Sequence, residues 1–133
     1  MVYSLWNSDE GRRTLNGGQS LYGGYDSNWT RGVITNQTPI SSDVAGIRYS
    51  NVDEVTTLSG LALSVGLQDV EIGSPTHLGI YANSGSSEFI VENNNINVAV
   101  FRDVTEQGKA NLVYGVLIIY VDTSRTLNNV ITM

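Results

Sequence analysis

A single histidine limits the catalytic chemistry open to this 133-residue chain. His77 follows Ser74-Pro75-Thr76, at the start of a predicted strand, and serines and aspartates are present to complete a Ser–His–acid triad. The chain has no Gly-x-Ser-x-Gly sequence, in which a hydrolase nucleophile lies on a sharp strand-to-helix turn. It also has no cysteine, and one imidazole without thiolates does not make a zinc site. The sequence therefore predicts no catalytic residue, no metal site and no cofactor.

Two acidic segments start like known motifs and then depart from them. Asp122-Thr123-Ser124 follows an apolar strand and resembles the hydrophobic-hydrophobic-Asp-Thr-Gly signature of aspartic proteases, but Ser124 and Arg125 replace its glycine. Asp26-Ser27-Asn28 begins like a calcium-binding EF-hand loop, but Arg31 and Gln37 stand where the loop needs glycine and a bidentate glutamate. The remaining acids show no spacing that indicates a glycosidase pair. We therefore expect the protein not to be an enzyme.

Aromatic side chains are the stronger candidates for function. Five lie near the N terminus, and we predict that all five are anchors at an interface: Tyr3, Trp6, Tyr22, Tyr25 and Trp29. Trp and Tyr are enriched among the residues that contribute most to protein–protein binding. The last three are interleaved with Gly, Asp and Asn, so they also suit a platform on which sugar rings stack.

The elements that would position these aromatics show no sustained period in residues 1–43. Turn-forming clusters such as Asn16-Gly17-Gly18 and Gly23-Gly24 interrupt the segment, while its aromatic content is too high for a disordered tail. We expect an extended N-terminal arm over 1–43 that docks either on its own body or on a neighbouring subunit.

Residues 44–133 are predicted to form the body, as consecutive strands. Leu61, Leu63, Val65 and Leu67 alternate with small residues, which indicates a strand, and the interior glycines disfavour the competing helix. Turn signals recur at Ser84–Ser87, Asn93–Asn95 and Glu106–Lys109. No internal repeat and no amphipathic stretch for a βαβ crossover is evident. The pattern favours an all-β fold, an antiparallel sandwich or jelly-roll-like barrel.

The segment Leu112–Val121 is apolar on both of its predicted faces. A strand in an antiparallel sheet with one wet face alternates apolar and polar residues, so this strand needs a cover on its second face. The arm or another copy of the chain would supply that cover. We predict a dimer or trimer whose contact strand uses alternate residues, namely Leu112, Tyr114, Val116, Ile118 and Tyr120.

Charge and composition exclude some partners. The chain has a net charge of −6 and one lysine, so it lacks the clustered cations that bind nucleic acid. Its longest apolar run is too short to cross a bilayer of ~30 Å as a helix, and residues 1–14 lack the features of a signal peptide, so we expect neither membrane nor nucleic-acid binding. Charged residues make up only 15%, against about 25% in average domains, a texture typical of extracellular or particle-bound β proteins.

A short, acidic, cysteine-free and lysine-poor β chain with an aromatic, Gly-rich N-terminal segment resembles the decoration or cement proteins of tailed-phage capsids. The resemblance concerns the texture of the whole chain and no single motif. It implies a structural protein that oligomerises on the virion surface and bridges neighbouring subunits, after synthesis in the host cytoplasm. Its partners would be itself and the major capsid protein or another particle subunit. The alternative is a lectin-like or fibre-tip module that binds carbohydrate or a receptor through Tyr22, Tyr25 and Trp29.

Overall fold

The structure, a computed structural model, describes residues 13–42, 45–66, 76–98 and 112–133. These ranges contain ten strands and no helix, and the strands fall into four successive groups. The first two groups are β1 (Arg13–Leu15), β2 (Leu21–Tyr22) and β3 (Thr38–Ser42), then β4 (Ala45–Tyr49), β5 (Thr56–Ser59) and β6 (Leu61–Val65). The last two are β7 (Thr76–Glu92) with β8 (Asn95–Val98), and β9 (Leu112–Leu127) with β10 (Val130–Thr132).

Every pairing between these ten strands is parallel and joins one group to the next. Ile47 pairs with Ile80 and Leu63 with Ile96, in each case 33 positions further along the chain. The two resulting sheets have six and four strands. The chain therefore winds through four stacked coils, the arrangement of a parallel β-helix.

The longer sheet is strongly curled because two of its strands bend. The first part of β7 pairs with β4 and its last part with β5, and the register with β9 shifts between Gly85 and Glu88. Both β7 and β9 therefore cover two sides of the coil, which the earlier coils build from separate strands.

The core lies inside the coils, where residues of equivalent position stack. Ile47, Ile80 and the partly buried Val116 form one column, and the buried rings of Tyr49 and Phe89 meet edge to face at 5.1 Å. Burial of each large apolar side chain contributes about 1.5–3 kcal/mol. The Tyr49 hydroxyl donates a 2.5 Å hydrogen bond to the Gln19 carbonyl, and burial raises the pKa of Tyr49 above its ordinary value.

Asparagines bind the coils together at one corner. The Asn94 side chain accepts a hydrogen bond from the Leu61 amide at 3.0 Å and donates to the Leu58 carbonyl at 3.1 Å, both in the preceding coil. One coil later, Asn129 accepts from the Asn94 amide at 3.0 Å and donates to the Val91 carbonyl at 2.8 Å. The residue before each asparagine has a positive φ, 55° and 52°, as Gly60 has (74°) at the same corner. This ladder satisfies backbone groups that turn away from the sheets.

The prediction of an antiparallel sandwich or jelly-roll-like barrel is wrong. It assumed that parallel strands require a helical crossover, which the sequence lacks. In a coil, the other strands of the same coil form the crossover. The segments interpreted as reverse turns, Ser84–Ser87 and Asn93–Asn95, instead bend the chain sideways within β7 and between β7 and β8. The alternation over Leu61–Val65 is correct: Leu61, Leu63 and Val65 are buried.

Residues 13–42, part of the segment expected to form an arm, are the first coil of the stack. β1 pairs with β4, β2 with β5 and β3 with β6, all within the same chain. The predicted body begins with the second coil, so hydrogen-bonded sheet crosses the expected boundary near residue 43.

The asparagine corner gives the first testable prediction. Substitution Asn94→Ala leaves the Leu61 amide and the Leu58 carbonyl without their partners, and the side chain that it removes is almost fully buried. We expect the free energy of unfolding to fall by about 2–3 kcal/mol in urea titrations. Asn97→Ala, an exposed asparagine of β8, is the matched control and should change it by less than about 0.5 kcal/mol. Equal losses in the two variants would contradict the ladder.

Candidate functional site

A long insertion at the asparagine corner of the first coil holds the predicted aromatic residues. In the other three coils this corner takes one or two residues, Gly60, Asn93-Asn94 and Asn128-Asn129, whereas in the first coil residues 23–37 lie between β2 and β3. The insertion closes its base with a 2.7 Å hydrogen bond from the Gly32 amide to the Gly24 carbonyl. An antiparallel bridge between Tyr25 and Arg31 then makes it a short hairpin.

Asp26 fixes the turn of this hairpin. Its carboxylate accepts hydrogen bonds from the amides of Asn28 at 2.8 Å and Thr30 at 2.9 Å. The Asp26 amide donates to the Thr30 carbonyl at 3.0 Å, and the Trp29 amide donates to the Asp26 carbonyl at 3.1 Å. The acid that suggested the start of a calcium loop is therefore bound to its own backbone, as in an Asx turn.

Trp29 is held at the tip of the hairpin in a conformation that bulky residues rarely adopt. Its φ is 60°, in the left-handed region, and its side chain is 72% exposed. The left-handed conformation costs about 1–2 kcal/mol for a residue with a Cβ, and an exposed indole does not recover that energy by packing within the fold. Strain of this kind that the fold maintains without benefit to its own packing indicates a functional role.

Arg31 joins the aromatic side chains to the stack of coils. Its guanidinium lies 5.1 Å from the centre of the Tyr22 ring and 5.8 Å from that of Tyr25, within cation–π range. The same group donates to the Gly23 carbonyl at 3.1 Å and to the Ser59 hydroxyl, in the second coil, at 2.8 Å. The rings of Tyr25 and Trp29 are 6.0 Å apart at an angle of 56°.

The structure thus brings together three of the five predicted anchors, and we call Tyr22, Tyr25, Trp29 and Arg31 the aromatic cluster. The other two, Tyr3 and Trp6, lie outside the described residues. Sequence reasoning missed Arg31. Its proximity in sequence to three aromatics was a signal, because Arg joins Trp and Tyr among the residues that contribute most to interfaces.

The predicted contact strand lies in β9, and its residues do not share one face. Val116 and Ile118 point to the core, together with Val121. Tyr120 has a φ of 56°, which breaks the alternation and leaves its side chain 85% exposed. Tyr114 is half-buried, and Leu112 begins the strand. These five positions therefore divide between the core and the surface.

The last coil also has a free edge. β9 pairs with β7 and β10 with β8 on one side, and among the described residues no strand pairs with their other side. A cavity of about 480 Å³ opens at this end of the stack. It is lined by Val116, Ile118, Thr126, Asn128, Asn129 and Ile131.

The remaining sequence candidates occupy structural positions. His77 lies in β7, paired with Val113, and Asp122 lies within β9. In the four described ranges no three His, Cys, Asp or Glu residues come close enough to hold a metal ion. The same ranges contain no helix of the length and apolarity that crossing a bilayer requires.

The strain at Trp29 gives the second testable prediction. Glycine adopts the left-handed conformation freely, so Trp29→Gly should leave the free energy of unfolding unchanged or raise it by about 1 kcal/mol. Asp26→Ala removes the acceptor of two backbone hydrogen bonds and should lower it by about 1 kcal/mol, whereas Asp26→Asn keeps an acceptor oxygen. Urea unfolding of the three variants measures these changes. A loss of more than about 1 kcal/mol in Trp29→Gly would show that the indole stabilises the fold and contradict a functional role for it.

Comparisons with known proteins leave this geometry as the basis for function. A scan against protein-family models, a search of the curated proteins and a search of the solved structures each found no match.

Proposed function

We propose that this protein is a non-enzymatic structural protein of a virus particle, a capsid decoration or cement protein, and that its aromatic cluster anchors it to a neighbouring particle subunit. The observation that carries the proposal is Trp29, which the hairpin holds in a strained conformation with 72% of its side chain exposed. An anchor residue needs this arrangement, because it must be exposed in the free protein and become buried in the complex.

Pre-organisation of the cluster supports a role in binding. The Asp26 turn fixes the backbone at the hairpin tip, and Arg31 ties the hairpin to Ser59 in the second coil. A binding residue that is already ordered loses less conformational entropy when the complex forms. Trp, Tyr and Arg together are the residue types that most often dominate the binding energy of an interface.

The stack of coils gives the proposed bridging role a rigid frame. The aromatic cluster projects from the first coil, while the free edge belongs to the last coil, three strand spacings or roughly 14 Å away. A bridging protein needs two separate contacts, and simultaneous contacts strengthen binding through effective concentration. Low charge and the absence of a basic patch fit attachment to protein on the outside of a particle, at the virion surface.

The third testable prediction concerns binding to particles. Mass spectrometry of purified virus particles from the source of this sequence should detect the chain, and recombinant protein should rebind particles from which it has been stripped. The double substitution Tyr25→Ala with Trp29→Ala should weaken rebinding at least tenfold, because it removes both exposed rings. Ile34→Ala is the matched control, since Ile34 is 76% exposed in the same insertion and lies outside the cluster. Absence of the chain from particles would contradict the proposal.

Carbohydrate binding is the second candidate, and the Tyr25–Trp29 pair favours it specifically. Two exposed rings 6.0 Å apart, with the exposed Asn28 and Thr30 in the same turn, offer both stacking faces and hydrogen-bonding groups for a sugar. A glycan array hit that is lost in the same double variant and kept in Ile34→Ala would support this function. In that case we would expect no rebinding to deglycosylated particles.

A further inference from the structure

We infer that the last coil is a self-association surface that takes a second copy of this chain across a two-fold axis, with the second half of β9 paired to itself in antiparallel orientation. The inference rests on the proposed function in one respect, because it specifies the oligomer that a bridging protein would form. It is argued from a different part of the molecule from the aromatic cluster.

The backbone of the last coil is prepared for pairing. β9 runs from Leu112 to Leu127 and is hydrogen-bonded along one edge to β7, while its other edge has no strand beside it within the described part of the chain. Such an edge presents a row of unpaired amides and carbonyls, which is a template for another strand. Natural edges are protected by lysine, proline or charge, and residues 112–133 contain no lysine, no proline and two charged residues.

The side chains at this end are apolar and exposed. Large hydrophobic residues on or beside β9 and β10 with 42–85% of their surface exposed are Tyr120, Leu127, Val130, Ile131 and Met133. The cavity beside them opens towards the core residues Val116 and Ile118. A standard protein interface uses about 20–30 residues from each partner, and residues 112–133 fall within that range.

Charge complementarity selects a second copy as the occupant. Asp122 and Arg125 are the charged residues of the last coil and have opposite signs, so two such ends meet without the repulsion expected from a net charge of −6. If two copies of β9 pair antiparallel about the Thr123–Ser124 bond, Asp122 of one copy lies opposite Arg125 of the other, twice. In the same register Tyr120 lies opposite Leu127, which places exposed apolar side chains against each other.

A two-fold axis also fits the shape of a coil end. Rotation about an axis through the middle of the second half of β9 reverses the direction of the chain and brings β10 of one copy beside the first half of β9 of the other. The contact uses the same surface on both copies, so it closes at two subunits. The present ion pair of Arg125 with Glu88 is 3.7 Å long and partly exposed, a weak contact that Arg125 can share with the second copy.

The fourth testable prediction is a charge-swap series on the full chain, read by sedimentation velocity over a range of concentrations. The unmodified chain should be a dimer. Asp122→Arg places two arginines opposite each other and Arg125→Asp two aspartates, so each single variant should weaken the dimer at least tenfold. The double variant Asp122→Arg with Arg125→Asp restores two opposite pairs and should recover most of the affinity. Asp53→Arg, an exposed acid in the second coil, is the control and should leave the dimer unchanged.

Each outcome decides the inference. A monomeric or trimeric unmodified chain overturns it, and so does a dimer that the single variants leave unchanged or that the double variant fails to restore. A monomer that still binds particles would overturn this inference alone. A dimer that recovers in the double variant, but whose chain is absent from particles, would overturn the proposed function alone.

Discussion

Each coil of this protein is held by in-register parallel pairing with the next, and every other feature depends on that register. Because equivalent positions stack, the neighbours that constrain a residue lie about one coil away in sequence. Gly46, Gly79 and Gly115 show the constraint most directly, since a Cβ at Gly79 would approach the Cγ2 of Ile96 to 2.6 Å and would also meet the carbonyl of Gly115. The asparagine ladder adds a polar column with the same spacing, which satisfies backbone groups at the corner where the sheets end.

A frame made of repeated coils leaves two places where the sequence can vary without loss of the core. One is the corner, which tolerates an insertion because only its two ends must meet the neighbouring coil. The hairpin around Trp29 occupies that place in the first coil. The other is the last coil, where Thr126 lies beside the buried Val91 and the column of apolar side chains gives way to a polar one. The two proposed contacts lie at these two places.

Local features of the structure could be predicted from the sequence, and long-range features could not. The alternation of Leu61, Leu63 and Val65 reports burial within one strand, so it predicts both the strand and its inner face. Parallel and antiparallel pairing produce the same alternation, and the direction is set by residues 33 or more positions away. The repeat was present in the spacing of Gly60, Asn93 and Asn128, which have positive φ at equivalent corners, but these residue types also form reverse turns. Similarly, Tyr22, Tyr25 and Trp29 could be identified by type, whereas the role of Arg31 depends on Ser59, 28 positions away.

Disulfide trapping of stacked residues tests the coil register most directly, because the native chain has no cysteine. Ser64 in β6 pairs with Asn97 in β8, while Asn95 lies two residues out of register on the same face. Disulfides form between residues whose Cα atoms are about 4.4–6.8 Å apart, a range that neighbouring positions on paired strands satisfy. The parallel stack predicts that S64C with N97C oxidises readily to an intramolecular disulfide and that S64C with N95C remains mostly reduced. Equal oxidation of both pairs, or of neither, would contradict four stacked parallel coils.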